Sequence, residues 1–311
     1  MKIETDPLDA AARAGWLYYA AGMTQDQIAQ AMGISRQRAQ RLVSRAMAEG
    51  LIRVRLEHPL GSCLALEARL KERFGLVECR VAPTIGDTPT RAIAPAAATL
   101  FESVLARPEP QVIGVGTGRA LTAMAAELQA VPCDRHRLVS LIGNIAEDGS
   151  ASRFDVILRL AAKLGAPHYP MTTPVISDSV EERDAFLALA PVRSVRTLGE
   201  QATAIFLGVG QMSDDAPLYM DGFISRSELA EVQAQGAVGE VAGRMFDEDG
   251  TYLRSHIHDR MTSVPVVPGL PRLAVGIAAG RSKVVPIRAA LRGRILNAIV
   301  TDEETAGALL S

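Results

Sequence analysis

The chain is poor in cysteine. Cys63, Cys79 and Cys133 stand far apart, with no CxxC spacing. An odd, scattered set excludes a disulfide scaffold and a structural zinc site, and it suits a reducing cytoplasm. Long hydrophobic runs are missing too: Gly, Pro or Arg interrupts every apolar stretch before the ~20 residues that span a bilayer. The opening Met1-Lys2-Ile3-Glu4-Thr5-Asp6 puts acids where a secretion signal needs a basic flank and then an apolar core. There is no internal repeat, no low-complexity tract, no G-x-S-x-G nucleophile elbow and no Gly-Lys-Ser/Thr phosphate loop. His256 and His258 are the one close histidine pair, and without nearby cysteine they are poor grounds for a metal centre. The expectations are a cytoplasmic chain with no membrane span, no metal and no cofactor.

What is present fits a globular protein of about two domains: 311 residues, 48% apolar and 22% charged. Net charge is only −2, but it is unevenly spread. Residues 1–56 hold eight basic and five acidic side chains, a net of +3, against 25 and 30 in the remainder, a net of −5. All six basic residues from 36 to 55 are arginines. A basic stripe on a mildly acidic protein points to a polyanion partner for that segment alone.

The same segment has the punctuation of a helix-turn-helix. Thr24 with Gln27 makes a capping box, and Ile28, Ala29 and Met32 form an apolar stripe. Gly33 ends the helix, Ile34 re-enters the core and Ser35 caps a second helix. In that helix Ala39, Leu42, Val43 and Ala46 recur with helical period and face inward, while Gln37, Arg41 and Ser44 face outward. A preceding helix over 7–21 is expected to supply Ala11, Ala14, Leu17 and Tyr18 to the core. Such a second helix offers its polar face to the major groove. Ser35, Arg36, Gln37, Gln40 and Arg41 are placed near base edges, with Arg38 and Arg45 nearer phosphates. Residues 50–56 read as a short strand or wing. The DNA-binding domain is expected to cover 1–57, and the remaining 58–311 a second domain that opens with an amphipathic helix over 64–74.

In 58–311, buried apolar runs alternate with helical patterns, the mark of an α/β domain with a parallel sheet. Strands are expected at 111–115, 138–142, 204–208, 273–278 and 295–300. Helices are expected at 91–105, 121–129, 154–164, 227–235 and 282–291. Three segments carry ligand chemistry. Gly114-Val115-Gly116-Thr117-Gly118-Arg119 runs from a strand through a Gly-rich turn into a helix, where amides, hydroxyl and guanidinium can meet an anion. Glu240 ends the apolar Gly236–Glu240 segment and can accept hydrogen bonds from sugar hydroxyls. Lys283 follows a second small-residue turn around Gly280 and suits an anion or a carbonyl.

In order and spacing, the helix-turn-helix at 24–45, GVGTGRAL at 114–121, GAVGEVAGRMFDEDG at 236–250, AAGRSK at 278–283 and LNAIVTDEETAGALL at 296–310 resemble the SorC/DeoR-type sugar-responsive transcriptional regulators. The resemblance covers nearly the whole chain. It implies a C-terminal effector domain with a fold like sugar-phosphate isomerases, and commonly a homotetramer. It places Gly116, Thr117, Gly118 and Arg119 on a phosphate-facing loop, Glu240 and Lys283 on the ligand, and Gln211 on another ligand-facing loop. Two positions depart from the family's pattern: Ala279 where Gly is frequent, and Glu240 where many members have Asp. The expected protein is therefore a non-enzymatic regulator of a carbohydrate catabolic operon. Its partners are double-stranded operator DNA and a small effector, first a sugar phosphate, second an unphosphorylated sugar or polyol. The alternative is a phosphosugar isomerase-like enzyme whose N-terminal helices only mediate oligomerisation, with Lys283 and Glu240 as acid and base. A Schiff base from Lys283 to an aldehyde effector is a third possibility.

Overall fold

The computed structural model describes residues 7–52, 60–86, 88–145, 149–150, 152 and 154–311. The chain divides into two compact units, Met1–Pro59 and Leu60–Ser311.

The first unit has three helices, α1 (Pro7–Tyr19), α2 (Gln25–Met32) and α3 (Arg36–Ala48). Local chemistry fixes their ends. Thr24 Oγ1 accepts from the Gln27 N–H while Gln27 Oε1 accepts from the Thr24 N–H at 2.8 Å, a reciprocal capping box. Gly33, at φ 64°, takes the left-handed conformation that closes α2, and Ser35 Oγ then accepts from Arg38 N–H to start α3. Ala11, Ala14, Ile28, Ala39, Val43 and Ala46 are buried. Small residues bring α1 and α3 close: a Cβ added to Gly15 would sit 2.8 Å from Ala46 Cβ and 2.7 Å from Ile52. Tyr18 does not join this core as expected. It lies in the last turn of α1, past the Gly15 contact with Ala46, where it is exposed and packs edge-to-face on Tyr19 at 4.9 Å between ring centroids. The strand or wing expected at 50–56 falls largely on residues 53–56, outside the described residues.

The second unit is a doubly wound α/β domain. In chain order it contains α4 (Gly61–Phe74), β1 (Glu78–Ala82), α5 (Pro89–Leu105), β2 (Val112–Val115), α6 (Arg119–Glu127), β3 (Arg137–Ser140), α7 (Ile157–Leu164) and β4 (His168–Tyr169). There follow α8 (Val180–Ala188), α9 (Ala190–Glu200), β5 (Ala204–Gly208), β6 (Gly210–Gln211), α10 (Pro217–Met220), α11 (Arg226–Ala234), β7 (Gly239–Val241), β8 (Arg244–Phe246) and α12 (His256–Asp259). The chain ends with β9 (Leu273–Ile277), α13 (Val284–Arg292), β10 (Ala298–Asp302) and α14 (Glu303–Leu310).

Seven strands form one sheet in the order β1-β10-β9-β5-β2-β3-β4, parallel throughout. β6, β7 and β8 make a small antiparallel sheet. The runs of β2, β9 and β10 are buried at every position, as parallel strands covered on both faces must be. From β2 the chain winds outward through β3 and β4; it then returns to place β5 beside β2 and winds the other way through β9 and β10. The sheet reverses direction between β2 and β5, and the crevice beyond the carboxyl ends of strands at such a point is where α/β sheets take ligands.

Two expected boundaries shift for local reasons. The strand foreseen at 295–300 begins at Ala298. Arg294 is left-handed (φ 55°), and the Asn297 side chain accepts from Ala274 N–H and donates to Arg272 O, so both residues serve the preceding loop. The helix foreseen at 154–164 begins at Ile157, whose N–H is held by the Asp155 carboxylate at 3.1 Å, and Phe154 is left outside it.

Candidate functional site

All seven residues assigned to DNA, Ser35, Arg36, Gln37, Arg38, Gln40, Arg41 and Arg45, are exposed along α3 and its cap. Arg36 pairs with Asp26 at 3.5 Å and Arg45 with Glu49 at 3.7 Å. Surface pairs of this kind contribute little. The result is a polar, guanidinium- and amide-rich face carried by a rigid helix whose apolar side is locked by Ala39, Val43 and Ala46.

In the second unit a cavity of about 170 Å³ opens at the carboxyl ends of β2, β5 and β9. Three strand-end turns meet there. Gly116, Thr117, Gly118 and Arg119 follow β2, Gly208 ends β5 with Val209 and Gly210 after it, and Ala278, Ala279 and Lys283 follow β9. Glu240 and Gly243 enter from the β7–β8 hairpin, and Asp221 from the end of α10. A larger hollow of about 610 Å³ is lined by Arg244, residues 252–256, 258–259 and 265–268. No Gly-rich turn reaches it, so the strand-end cavity is the candidate site.

The charged groups of the cavity are interlocked. Lys283 Nζ donates to Gln211 Oε1, and Gln211 Nε2 donates to Asp215 O at 3.3 Å. Burial pulls the Lys283 ammonium below its ordinary range, while Glu240 and Asp215 oppose that shift. Burial likewise pushes the Glu240 carboxyl up; the Gly243 N–H, 2.8 Å from Oε2, and the charge of Lys283 work in the other direction. Arg119 reaches across to Asp221, Nη2 to Oδ1 at 2.8 Å, and its guanidinium lies 4.6 Å from the centroid of the Phe154 ring.

Three assigned residues do not line the cavity. Gly114 lies inside β2, where an added Cβ would strike Ile205 and Leu141; its role is packing. Gly280 donates its N–H to Thr305 Oγ1 at 2.8 Å and so anchors the turn to α14. Gln211 stands behind Lys283 and orients it. Asp221 and Phe154 were not anticipated. They reach Arg119 from distant segments, and no local pattern announces such pairs. The histidine pair is also accounted for: His258 Nε2 accepts from Met245 N–H and Nδ1 faces Leu253 O, while His256 Nδ1 lies 3.2 Å from Glu231. Among the described residues there is no group of three or more His, Cys, Asp or Glu side chains able to hold a metal. Nor is any described helix long and apolar enough to cross a membrane.

Residues 58–311 match the family model described as "Putative sugar-binding domain", and residues 14–59 match the MarR family. The chain is 35% identical over 302 residues to the erythritol catabolism regulatory protein EryD of Brucella abortus (strain 2308), covering 96% of both chains. It is 32% identical to the transcriptional regulator LsrR of Enterobacter sp. (strain 638), covering 96% of this chain and 92% of that one. Among solved structures, the full-length sorbitol operon regulator SorC from Klebsiella pneumoniae superposes with a TM-score of 0.74 at 26% identity, over 99% of this chain and 100% of that one.

Proposed function

The chain belongs to the SorC-type family of sugar-responsive transcriptional regulators; from that premise we propose that it controls a carbohydrate catabolic operon in the cytoplasm, as a homo-oligomer of tetrameric order, by binding a small polyhydroxylated effector in the strand-end cavity. The observation that carries the reading is the convergence of Glu240, Lys283 and Arg119 at the sheet's reversal point, in a chain that also holds an exposed arginine-rich recognition helix. Operator contacts fall to Gln37, Gln40, Arg36 and Arg41 at base edges and to Arg38 and Arg45 at phosphates, with Ser35 fixing the helix start. Effector contacts fall to Thr117, Arg119, Glu240 and Lys283, with Gly116 and Gly118 shaping the turn.

Regulation follows from linkage. An effector that binds one arrangement of the subunits better than another shifts the population toward it. A coupling of about 1–3 kcal/mol changes operator affinity by about 5–150-fold. Lys283 and Glu240 serve here to bind rather than to turn over a substrate, and the α3 arginine face, which an isomerase has no use for, favours the regulator. The relative named for erythritol catabolism and the structure named for a sorbitol operon make polyols the first compounds to try. The test is fluorescence anisotropy on the DNA upstream of the protein's own gene, with and without such compounds. Sequence-specific binding that changes with one of them is expected, and binding no tighter than to random DNA at low salt rejects the reading.

A further inference from the structure

We propose that the strand-end cavity selects a neutral polyhydroxy compound over its phosphate ester, and that Asp221 sets this preference by occupying the guanidinium of Arg119 that a phosphate would need. The inference rests on the cavity being the effector site.

Consider what a phosphate ester would find there. The described lining holds two cations, Arg119 and Lys283, and two carboxylates, Asp221 and Glu240. Arg119 is already engaged by both oxygens of Asp221, Nη2 to Oδ1 at 2.8 Å and Nη1 to Oδ2 at 3.4 Å, the bidentate fork that a phosphate would otherwise use. Phe154 packs against the guanidinium and holds it in that position. Lys283 is turned toward Gln211 and attracted by Glu240 and Asp215. In the turn after β2, Gly116 N–H donates to Phe206 O at 2.9 Å and Gly118 N–H faces Phe154 O at 3.5 Å, so neither glycine amide is left for a phosphate. A dianion entering this space would displace a carboxylate from its partner and then lie beside it, partly screened from water, where like charges repel strongly.

A polyol meets the opposite situation. Glu240 Oε2 is taken by Gly243 N–H, which leaves Oε1 to accept from a hydroxyl. Thr117 supplies a hydroxyl, and the Lys283 ammonium has further protons to donate. Ile142, Val175 and Leu207 give the carbon chain an apolar wall. Each neutral contact forms without breaking the Arg119–Asp221 pair, and a hydroxyl can accept from the guanidinium N–H donors that Asp221 leaves over.

The experiment is isothermal titration of the full chain with erythritol, xylitol and sorbitol and with their monophosphate esters, repeated on Asp221→Asn and Asp221→Glu. In the native chain at least one polyol binds, and its ester binds at least about tenfold more weakly. Asp221→Asn, isosteric but uncharged, frees Arg119, so the ratio of ester affinity to polyol affinity rises by about tenfold or more. Asp221→Glu restores the exclusion, which a merely structural role for this side chain would not do. An ester that binds the native chain as tightly as its polyol overturns the inference, as does an unchanged preference in Asp221→Asn. If no member of either series binds a chain that melts cooperatively, the carbohydrate-site reading itself falls, a result distinct from binding with the opposite preference.

Discussion

Gly210 lies directly against the carboxylate of Glu240: the two are partners across the β6–β7 pair, and a Cβ on Gly210 would collide with Oε1. The bare backbone of one strand therefore leaves the space that the acid of the next strand fills. Gly210→Ala is expected to push Glu240 out of place and weaken effector binding by about 10- to 100-fold, the loss of one charge-assisted hydrogen bond. Operator binding without effector should persist. Titration calorimetry and anisotropy on the same preparation check both halves.

The two units separate in a second variant. Gly15→Ala places a methyl group in the α1–α3 crossing, where Ala46 and Ile52 leave no space. Overpacking of this kind costs about 1–3 kcal/mol. The first unit is small, so operator affinity should fall sharply, while effector affinity, which belongs to residues beyond 60, stays at the native value. A parallel loss of effector binding would contradict the division of labour.

On α3 the side chains should sort by what they touch. Gln37→Ala and Arg41→Ala should each cost about 1–3 kcal/mol on the cognate operator and much less on random DNA. Arg38→Ala and Arg45→Ala should weaken both alike and lower the slope of log K against log salt by about one each. Anisotropy across a salt series measures this, and a uniform loss from all four variants would place the helix differently on the duplex.

His258 predicts a pH dependence of stability. Its Nε2 accepts from Met245 N–H, so the ring carries its proton on Nδ1, toward Leu253 O, and stays neutral. Burial, with the nearby Arg244 charge, lowers its pKa from 6.5 to about 4. A depressed pKa means the unfolded chain binds the proton first. The stabilisation is therefore complete above pH 6.5 and is lost as pH falls toward 4, up to about 3 kcal/mol in all. Urea unfolding should show His258→Gln to be less pH-sensitive than the native chain across that window. Equal slopes would remove the assignment.

Much of this architecture was legible locally. Thr24, Gln27, Gly33 and Ser35 form caps from neighbours within a few residues, so the helix-turn-helix could be read directly. The runs of β2, β5 and β9 are apolar throughout because both faces are covered. What escaped lacks such a signal. β1 carries the half-buried Glu78 and Arg80, which break its apolar run, and β6 to β8 are two or three residues long, too short for any period to register. Tyr18 occupies a helical position that periodicity turns inward, but it falls in the last turn of α1, where its ring lies at the surface against Tyr19. At the site, the Gly-rich turn, Glu240 and Lys283 stand out by composition. The pairings that hold them do not: Asp221 is 102 residues from Arg119, and Gln211, expected on a ligand-facing loop, is 72 from the Lys283 that it holds.

One measurement bears most directly on the whole account: the affinity of the full chain for its own upstream DNA, followed by anisotropy as a polyol is titrated in, for the native protein and for Glu240→Gln. The account predicts a specific complex whose affinity moves by about 5–150-fold at saturating polyol in the native protein, with the response lost or shifted to much higher concentration in Glu240→Gln while its unliganded affinity stays the same. An operator affinity indifferent to every carbohydrate offered, or a Glu240→Gln chain that responds as the native one does, would contradict it.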